Sequence, residues 1–559
     1  MKNIIIKAAA SVLVAGMLSG CSSDYLDVTP VTAVPTGTVL ETEEGAQYAL
    51  YGLCQTMYCP MGDFFSNYLF TNGEPYIATV YGEVLGQDYF SLMWAESTGG
   101  NFMWQNNDLP DGWIPIIPWS YCYNLIGQAN TILSGIDTIE GNEDHLHFMK
   151  AQALTIRAHA YTRLLQLYAP RWENSNNGEK YCIVIRTEPG VNDAPLSTMN
   201  EALKRIYDDC NDAIALYEDC GMRRSYTWEP NINVCQGILA RAALLKHDWP
   251  TAQLMAHDAR QNYPIMSADD YKNGFCMPNE EWMWECYGEQ KALYYAAYGS
   301  MYACNGPYPG IWGYGAGAIN YELYKKFPRG DIRSDLFFTP DKLVGQSLSR
   351  SAFWNTSYIE ETTMNLNSKD NIMIAQINRY EESHYPTDKS IEWPAPYNNF
   401  MTGSNKDCKV AFGAQFKFWG VDNYGTGSFC VMRGAEMLLT EAEAAYHNGE
   451  TSVAVANLKE LNAKRCEGYE CNQTGAALLE EIQLQRRFEL WGEGFNFFDL
   501  KRWNLPMVRS PWEKGNTASN NIPVLYRMEK QPNDRGWRFA VPLTESRYNK
   551  LVDRNLLAD

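Results

Sequence analysis

The sequence predicts a mainly α protein, a scaffold of paired helices that carries two large irregular insertions. Three observations lead there. Apolar residues recur at helical spacing in segment after segment, from Glu41–Tyr58 to Ala454–Arg465. Two blocks, Phe64–Pro118 and Tyr263–Phe429, are rich in Gly, Asn, Pro and aromatic residues and sustain no such period. Near the C-terminus, Gln485–Trp503 (QRRFELWGEGFNFFDLKRW) joins an amphipathic half to a dense knot of aromatic and charged side chains.

In chain order, a short tether (Asp24–Thr38, with Pro30 and Pro35) leads into a helix over Glu41–Tyr58, with Ala46, Ala49, Leu50 and Leu53 on one face. Phe64–Pro118, which holds Trp94, Trp104 and Trp113, reads as long loops with occasional short elements. Helices resume at Trp119–Asp137 and Asp144–Tyr168. The second sets Met149, Ala153, Ile156, Ala160, Leu164 and Leu167 at core spacing, and Pro170 closes it. Met199–Tyr217, Ile232–Lys246 and Thr251–Asn262 continue the series. Ala and Leu at close-packing positions make these hairpins resemble tetratricopeptide-like pairs, without that repeat's consensus of about 34 residues. Glu280–Cys286 (EEWMWEC) alternates like a strand. In the C-terminal stretch, Ile482, Phe488 and Trp491 fall at roughly helical spacing, and Gly492 and Gly494 end the helix because glycine accepts a left-handed turn. Phe495, Phe497, Phe498 and Trp503 follow, interleaved with Arg486, Arg487, Glu489, Glu493, Asp499, Lys501 and Arg502. Such a mixture predicts a helix end locked into a core by charge-assisted hydrogen bonds, a structural knot and not a ligand site.

A length of 559 residues suits three or four domains, or one large one with insertions. The 45% hydrophobic and 20% charged fractions are those of a folded globular chain. Met1–Gly20 reads as a secretory signal: Lys2 and Lys7 are the basic start, Ala8–Leu18 the apolar run, and Leu18-Ser19-Gly20-Cys21 the cleavage region. The apolar run is short of the ~20 residues that span a bilayer. The formal net charge of −20, more negative still once Lys2 and Lys7 are removed, argues against nucleic acid and anionic headgroups as partners. It also disfavours strongly anionic polysaccharides unless a local basic patch overrides it. None of the 15 cysteines forms a C-x-x-C pair, so zinc ribbons and thioredoxin-like sites lack support. Cys54/Cys59, Cys210/Cys220, Cys276/Cys286 and Cys466/Cys471 are near neighbours that suit either disulfides or small buried thiols.

The pattern R-R-x-E-L-x-x-E-G-x-x-x-x-D-L-x-R-W, carried by Arg486, Arg487, Glu489, Leu490, Glu493, Gly494, Asp499, Leu500, Arg502 and Trp503, resembles the C-terminal signature of the SusD/RagB family of Bacteroidetes outer-membrane lipoproteins. Val431–Gly449, with Arg433, Glu436, Glu441 and Glu443, resembles a second helix of that family, and Ala454–Arg465 follows as its hairpin partner. Tyr321–Phe338 resembles the family's helix and G-D-x-R-x-D turn, here Gly330, Asp331, Arg333 and Asp335. Arg538–Tyr548 is similar to its closing segment, with Val541 in place of Ile and no Asn-Pro pair after it. Small residues before Cys21 resemble a lipobox, and Ser22, Ser23, Asp24 and Asp27 resemble a surface-export lead-in. The resemblance implies a SusD-like α scaffold divided into a signal (1–20), a lipidated tether (21–38), an N-terminal region with tetratricopeptide-like helices (39–262), a loop-rich aromatic region (263–429) and a C-terminal signature region (430–559). It also implies an outer-membrane protein, lipid-anchored through Cys21 and facing the exterior. Its partner would be a SusC-like TonB-dependent transporter.

No enzyme is expected. The G-x-S-x-G, H-E-x-x-H and P-loop patterns are absent, and no local motif nominates a carboxylate pair for glycoside hydrolysis. Glu436, Glu441 and Glu443 fit pairing with arginines. His145-x-His147 lacks a third ligand, and no metal or cofactor is expected. The positive signal is aromatic: 36 Tyr and 17 Trp against 21 Phe, many of them in the two irregular blocks. A flat ring with a polar tip covers the C–H face of a sugar while neighbours bond its hydroxyls. The resemblance narrows the candidates to Trp94 or Trp104, Tyr295 or Tyr298, and Trp312 or Tyr314. Capture of an oligosaccharide or polysaccharide for the transporter is the reading they support. A RagB-like peptide binder, a surface glycosidase and an adhesion lipoprotein are its rivals.

Overall fold

The computed structural model describes residues 40–58, 73–91, 104, 106–190, 192–288, 317–337, 374–376, 409–411, 413, 415–421, 426–509 and 528–558. Helix α1 (Glu43–Thr56) starts where the Thr42 hydroxyl accepts the Gly45 amide at 3.1 Å, with Glu43 and Glu44 in the first turn. The block from Phe64 on, expected as loops, contains a buried helix. α2 (Glu74–Tyr76) runs on as π-helical turns over Ile77–Glu83, and every residue of both pieces is buried. Burial on all sides erases the apolar–polar period by which a helix is read from sequence.

The helix expected from Trp119 begins instead at Trp113: α3 is Trp113–Gly135, with Pro118 inside it. Pro118 has no N–H to give the Ile114 carbonyl, and the Tyr81 hydroxyl donates to that carbonyl at 2.9 Å in its place. α4 (Glu143–Tyr168) is buried all round from Ala151 to Tyr168, not along a single stripe. Its polar residues therefore find partners inside. Arg157 donates to both Asp209 oxygens, at 2.9 and 2.6 Å, and to Asn130 Oδ1 at 2.8 Å. Those bonds tie α4 to α3 and to α5 (Met199–Cys220). α5 opens on a capping box between Thr198 and Glu201 and closes on Gly221 at φ +60°.

α6 (Ile232–Lys246) and α7 (Trp249–Ala259) follow, and each helix from α3 to α7 packs on the next. Val431–Gly449 is not one helix. Phe429–Arg433 is a strand, antiparallel to Trp282–Cys286 with Trp282 opposite Arg433, and α8 (Gly434–His447) starts after it. All five strand residues are buried, and the distant pairing partner decides their conformation. α8 packs on α7 and on α9 (Thr451–Asn462), and α10 (Ala476–Glu489) completes a second apolar cluster with Leu438, Leu458, Leu461 and Ile482. α11 (Asn496–Arg502) ends the signature. Every described cysteine is a free thiol, and all but Cys220 are buried; Cys59 lies outside the described residues.

Candidate functional site

The signature builds a buried, charge-balanced network. Arg333, Arg433, Arg465 and Lys417 meet Asp331, Glu281, Glu489 and Glu493, and none of the eight is more than 7% exposed. Arg433 donates from Nε to Glu493 at 2.7 Å and from Nη1 to Glu281 at 2.8 Å and Glu489 at 2.9 Å. Its Nη2 donates to the Glu489 carbonyl at 3.0 Å and to Glu493 at 2.8 Å, so all five N–H bonds are used. Lys417 spends its three donors on Glu493 and the Glu489 and Trp491 carbonyls. Burial pushes the Glu489 carboxyl up, but Arg465, Arg433 and Arg333 outweigh it and hold the group well below the usual carboxylate range.

A second circuit runs from Arg486 to Asp499 (2.7 Å), to Arg502 (2.8 Å), and on to Glu443, whose Oε1 also accepts from Trp503 Nε1 at 2.8 Å. Arg487 grips both oxygens of Asp88 at 2.7 and 2.5 Å, and Glu436 takes both from Arg241 at 2.7 and 2.6 Å. Gly494, at φ +94°, lies against the π-helical turns: a Cβ there would sit 2.6 Å from Ala78 Cα. One Glu83 oxygen accepts the Gly494 and Phe495 amides at 2.7 and 3.0 Å, while its other oxygen is buried without a partner. Burial pushes the Glu83 carboxyl up to about 8 against those two donors. Charges cancel inside these circuits and, apart from the buried Nη1 of Arg241, the donors end on protein acceptors, so their work is to clamp α8, α10, α11 and the π-helical turns together. Most partners of Arg486–Trp503 (Asp88, Arg333, Lys417, Arg433, Glu443) lie far from it in sequence and were invisible to local reading.

Cys21, Trp94, Tyr295, Tyr298, Trp312 and Tyr314 lie outside the described residues. Trp104, expected in a ligand platform, is a core residue. It is 5% exposed, its Nε1 donates to the Leu85 carbonyl at 3.0 Å, and the Phe497 and Trp537 rings pack edge-on to it at 5.4 and 4.7 Å. His145 pairs with Glu43 and Gln47, and His147 with Asp219, so the two histidines are held apart on separate partners. Among the described residues, a ribbon pairs Ser91 with Gly317. The segment carrying Trp94 leaves from one strand of that ribbon, and the segment carrying Trp312 and Tyr314 returns into the other.

The described residues do present an aromatic platform, at Tyr226 and Trp228 in the loop between α5 and α6. The rings stack at 5.1 Å and 9°, Tyr51 of α1 meets Trp228 edge-on at 4.9 Å, and Tyr226 is 53% exposed. The loop is tightly held. Arg224 Nη1 donates to the carbonyls of Thr227 (3.1 Å), Glu229 (2.9 Å) and Met283 (2.6 Å). Glu229 accepts the Ser225 and Tyr226 amides at 2.8 and 2.9 Å, and Trp284 Nε1 donates to the Trp228 carbonyl at 3.0 Å. The strand that holds Trp284 ends beside this loop, and Tyr287, 55% exposed, follows it. A fixed, exposed tyrosine face backed by tryptophan suits stacking on the C–H face of a pyranose. The sequence reading missed it; the signal was Tyr226-Thr227-Trp228 in a short polar link between two strong helices.

The sequence model that describes the SusD family matches residues 256–554, and one described as starch-binding and associating with the outer membrane matches residues 74–244. No curated protein matches the chain in sequence. Among solved structures, a SusD-like carbohydrate binding protein from Bacteroides vulgatus shares 20% identity at a TM-score of 0.69, covering 92% of this chain and 98% of that one. A SusD superfamily protein from Bacteroides thetaiotaomicron shares 19% at 0.65, covering 92% and 99%. A SusD-like carbohydrate binding protein from Bacteroides fragilis shares 16% at 0.60, covering 92% and 100%. Those identities speak for the fold, and the family match, which spans more than half of the chain and includes the whole clamped signature, shows that the protein belongs to the SusD family.

Proposed function

We propose that this protein captures glycans at the outer membrane and delivers them to a SusC-like TonB-dependent transporter without cleaving them. The observation that carries the reading is the Tyr226–Trp228 platform, an exposed stacking face on a loop held by at least six hydrogen bonds. Membership of a family whose members include solved carbohydrate-binding proteins, and a match to a starch-binding description that places its holders at the outer membrane, support it. Cys21, once lipidated, would hold the chain at that membrane with its platform facing outward. Trp94, Tyr295, Tyr298, Trp312 and Tyr314 are proposed as further contacts on the resemblance of their segments to the family's ligand-binding regions. Stacking supplies affinity and fixed hydroxyl partners supply selectivity; no bond is made or broken.

The test is calorimetric titration of the chain from residue 22 onward against oligosaccharides and peptides. Saturable binding of one glycan with no product formed is expected, and Tyr226→Ala should weaken it about tenfold, the equivalent of ~1.4 kcal/mol of stacking. Unchanged affinity in Tyr226→Ala would remove the platform from the site. Binding of peptides alone would make the chain a RagB-like peptide carrier, and released product would make it an enzyme.

A further inference from the structure

A cavity of about 600 Å³ opens between the end of α4 and the C-terminal segment. Among the described residues its wall carries Arg171, Lys180, Lys501, Arg535, Arg538 and Arg554 against two carboxylates, Asp108 and Asp534. In a chain of net charge −20 that concentration of positive charge is out of character. Both carboxylates are engaged: Asp108 pairs with Arg535 at 2.8 Å, and Asp534 accepts the Gln531 amide at 2.7 Å. Lys501 spends its ammonium on backbone carbonyls, Gln166 at 2.7 Å and Ala169 at 2.8 Å, and Arg538 donates to the Tyr168 and Tyr181 carbonyls at 3.0 and 2.6 Å. Carbonyls satisfy donors without cancelling charge.

Arg171 is the decisive residue. It is 4% exposed, its guanidinium lies over the Trp537 ring at 4.7 Å, and Nη1 donates to Asn504 Oδ1 at 2.8 Å. Nε and Nη2 are buried and have no partner. Those two atoms form one edge of the guanidinium, the edge that meets two oxygens of a carboxylate, sulfate or phosphate side by side. Stacking on Trp537 and the bond to Asn504 hold the plane of the guanidinium.

We propose that this cavity is an oxyanion site, with the Nε–Nη2 edge of Arg171 as its bidentate contact and Arg554, whose donors end on the Val541 and Pro542 carbonyls, adding long-range attraction from the wall. Burial pulls the Arg171 guanidinium down to about 10, and burial together with Arg171 and Arg538 pushes the Lys501 ammonium well below its ordinary value. A bound anion relieves both. The same chemistry is offered by a uronic acid within a glycan and by a free inorganic anion. An acidic sugar here would extend the capture reading to charged glycans, which the net charge alone disfavours.

The experiment is titration of the chain from residue 22 onward with sodium sulfate, inorganic phosphate and glucuronate, in chloride at constant ionic strength. It needs no neutral glycan, so its outcome stands apart from that of the capture reading. Saturable binding of at least one probe is expected, weakened tenfold or more in Arg171→Gln and severalfold in Arg554→Gln, whose amide can still donate to the Val541 and Pro542 carbonyls that Arg554 holds. Tighter binding of glucuronate than of the inorganic ions assigns the site to acidic sugars; the reverse order assigns it to free oxyanions. Absence of saturable binding by all three probes, or affinity unchanged in both variants, overturns the proposal.

Discussion

Arg433→Leu tests the clamp most directly. The guanidinium gives five hydrogen bonds to Glu281, Glu489 and Glu493, all buried. Its loss takes a network of four positive and four negative groups, all buried, to a net −1. Removing one partner of a buried pair costs ~3–5 kcal/mol, and because three carboxylates lose a donor the upper end is expected here. With a urea slope of about 3 kcal/mol per molar, the midpoint at pH 7 falls by about 1.5 M. Arg433→Lys should recover less than half of that, since an ammonium has three donors and no fork. The pH dependence has a definite sign. In the native chain Glu489 is held low, so its contribution is present above the ordinary value near 4.5 and is lost as pH falls below it. In Arg433→Leu the carboxylates that lose a donor take up a proton more readily than in the native chain, and protonation relieves the uncompensated charge. The deficit of the variant should therefore shrink between pH 7 and 5.5. A deficit under ~1 kcal/mol, or one that grows on acidification over that range, would refute the reasoning.

Two further outcomes rest on the neighbouring contacts, and a third on the proposed lipid anchor. Glu83→Gln should gain on the native chain as pH rises from 5 toward 8, by up to ~1.4 kcal/mol per pH unit, because the Glu83 carboxyl, pushed up to about 8, stabilises the fold only while protonated; urea midpoints across that range measure it, and parallel curves would contradict it. Arg487→Ala should cost ~2–3 kcal/mol by stranding Asp88, less than Arg433→Leu because Asn496 still donates to that carboxylate at 2.5 Å, and the double change with Asp88→Asn should cost less than the sum of the two. Cys21→Ala should move the protein from the membrane to the soluble fraction, and continued sedimentation with membranes would defeat the lipid-anchor proposal.

What the sequence by itself determined is what depends on neighbours along the chain. α6 is found over the span its periodicity predicts, Ile232–Lys246, and α4 and α5 differ only at their ends. The glycines of the signature were legible as turn residues, and Gly492 and Gly494 are both at positive φ. Its Arg and Glu residues were legible as a charge-laced knot, because amphipathic spacing and the alternation of charge with aromatic side chains are local properties. The tertiary structure decided whatever depends on a distant partner. Ile77–Glu83 is helical because the signature turn packs against it, and Phe429–Arg433 is a strand because Trp282–Cys286 lies beside it. Trp104 looked like a loop aromatic until Phe497 and Trp537, 393 and 433 positions on, enclosed it. The exposed Tyr226 and the unpartnered edge of Arg171 are likewise facts of packing: whether a ring or a guanidinium is free to meet a ligand depends on which side chains the fold has already set against it.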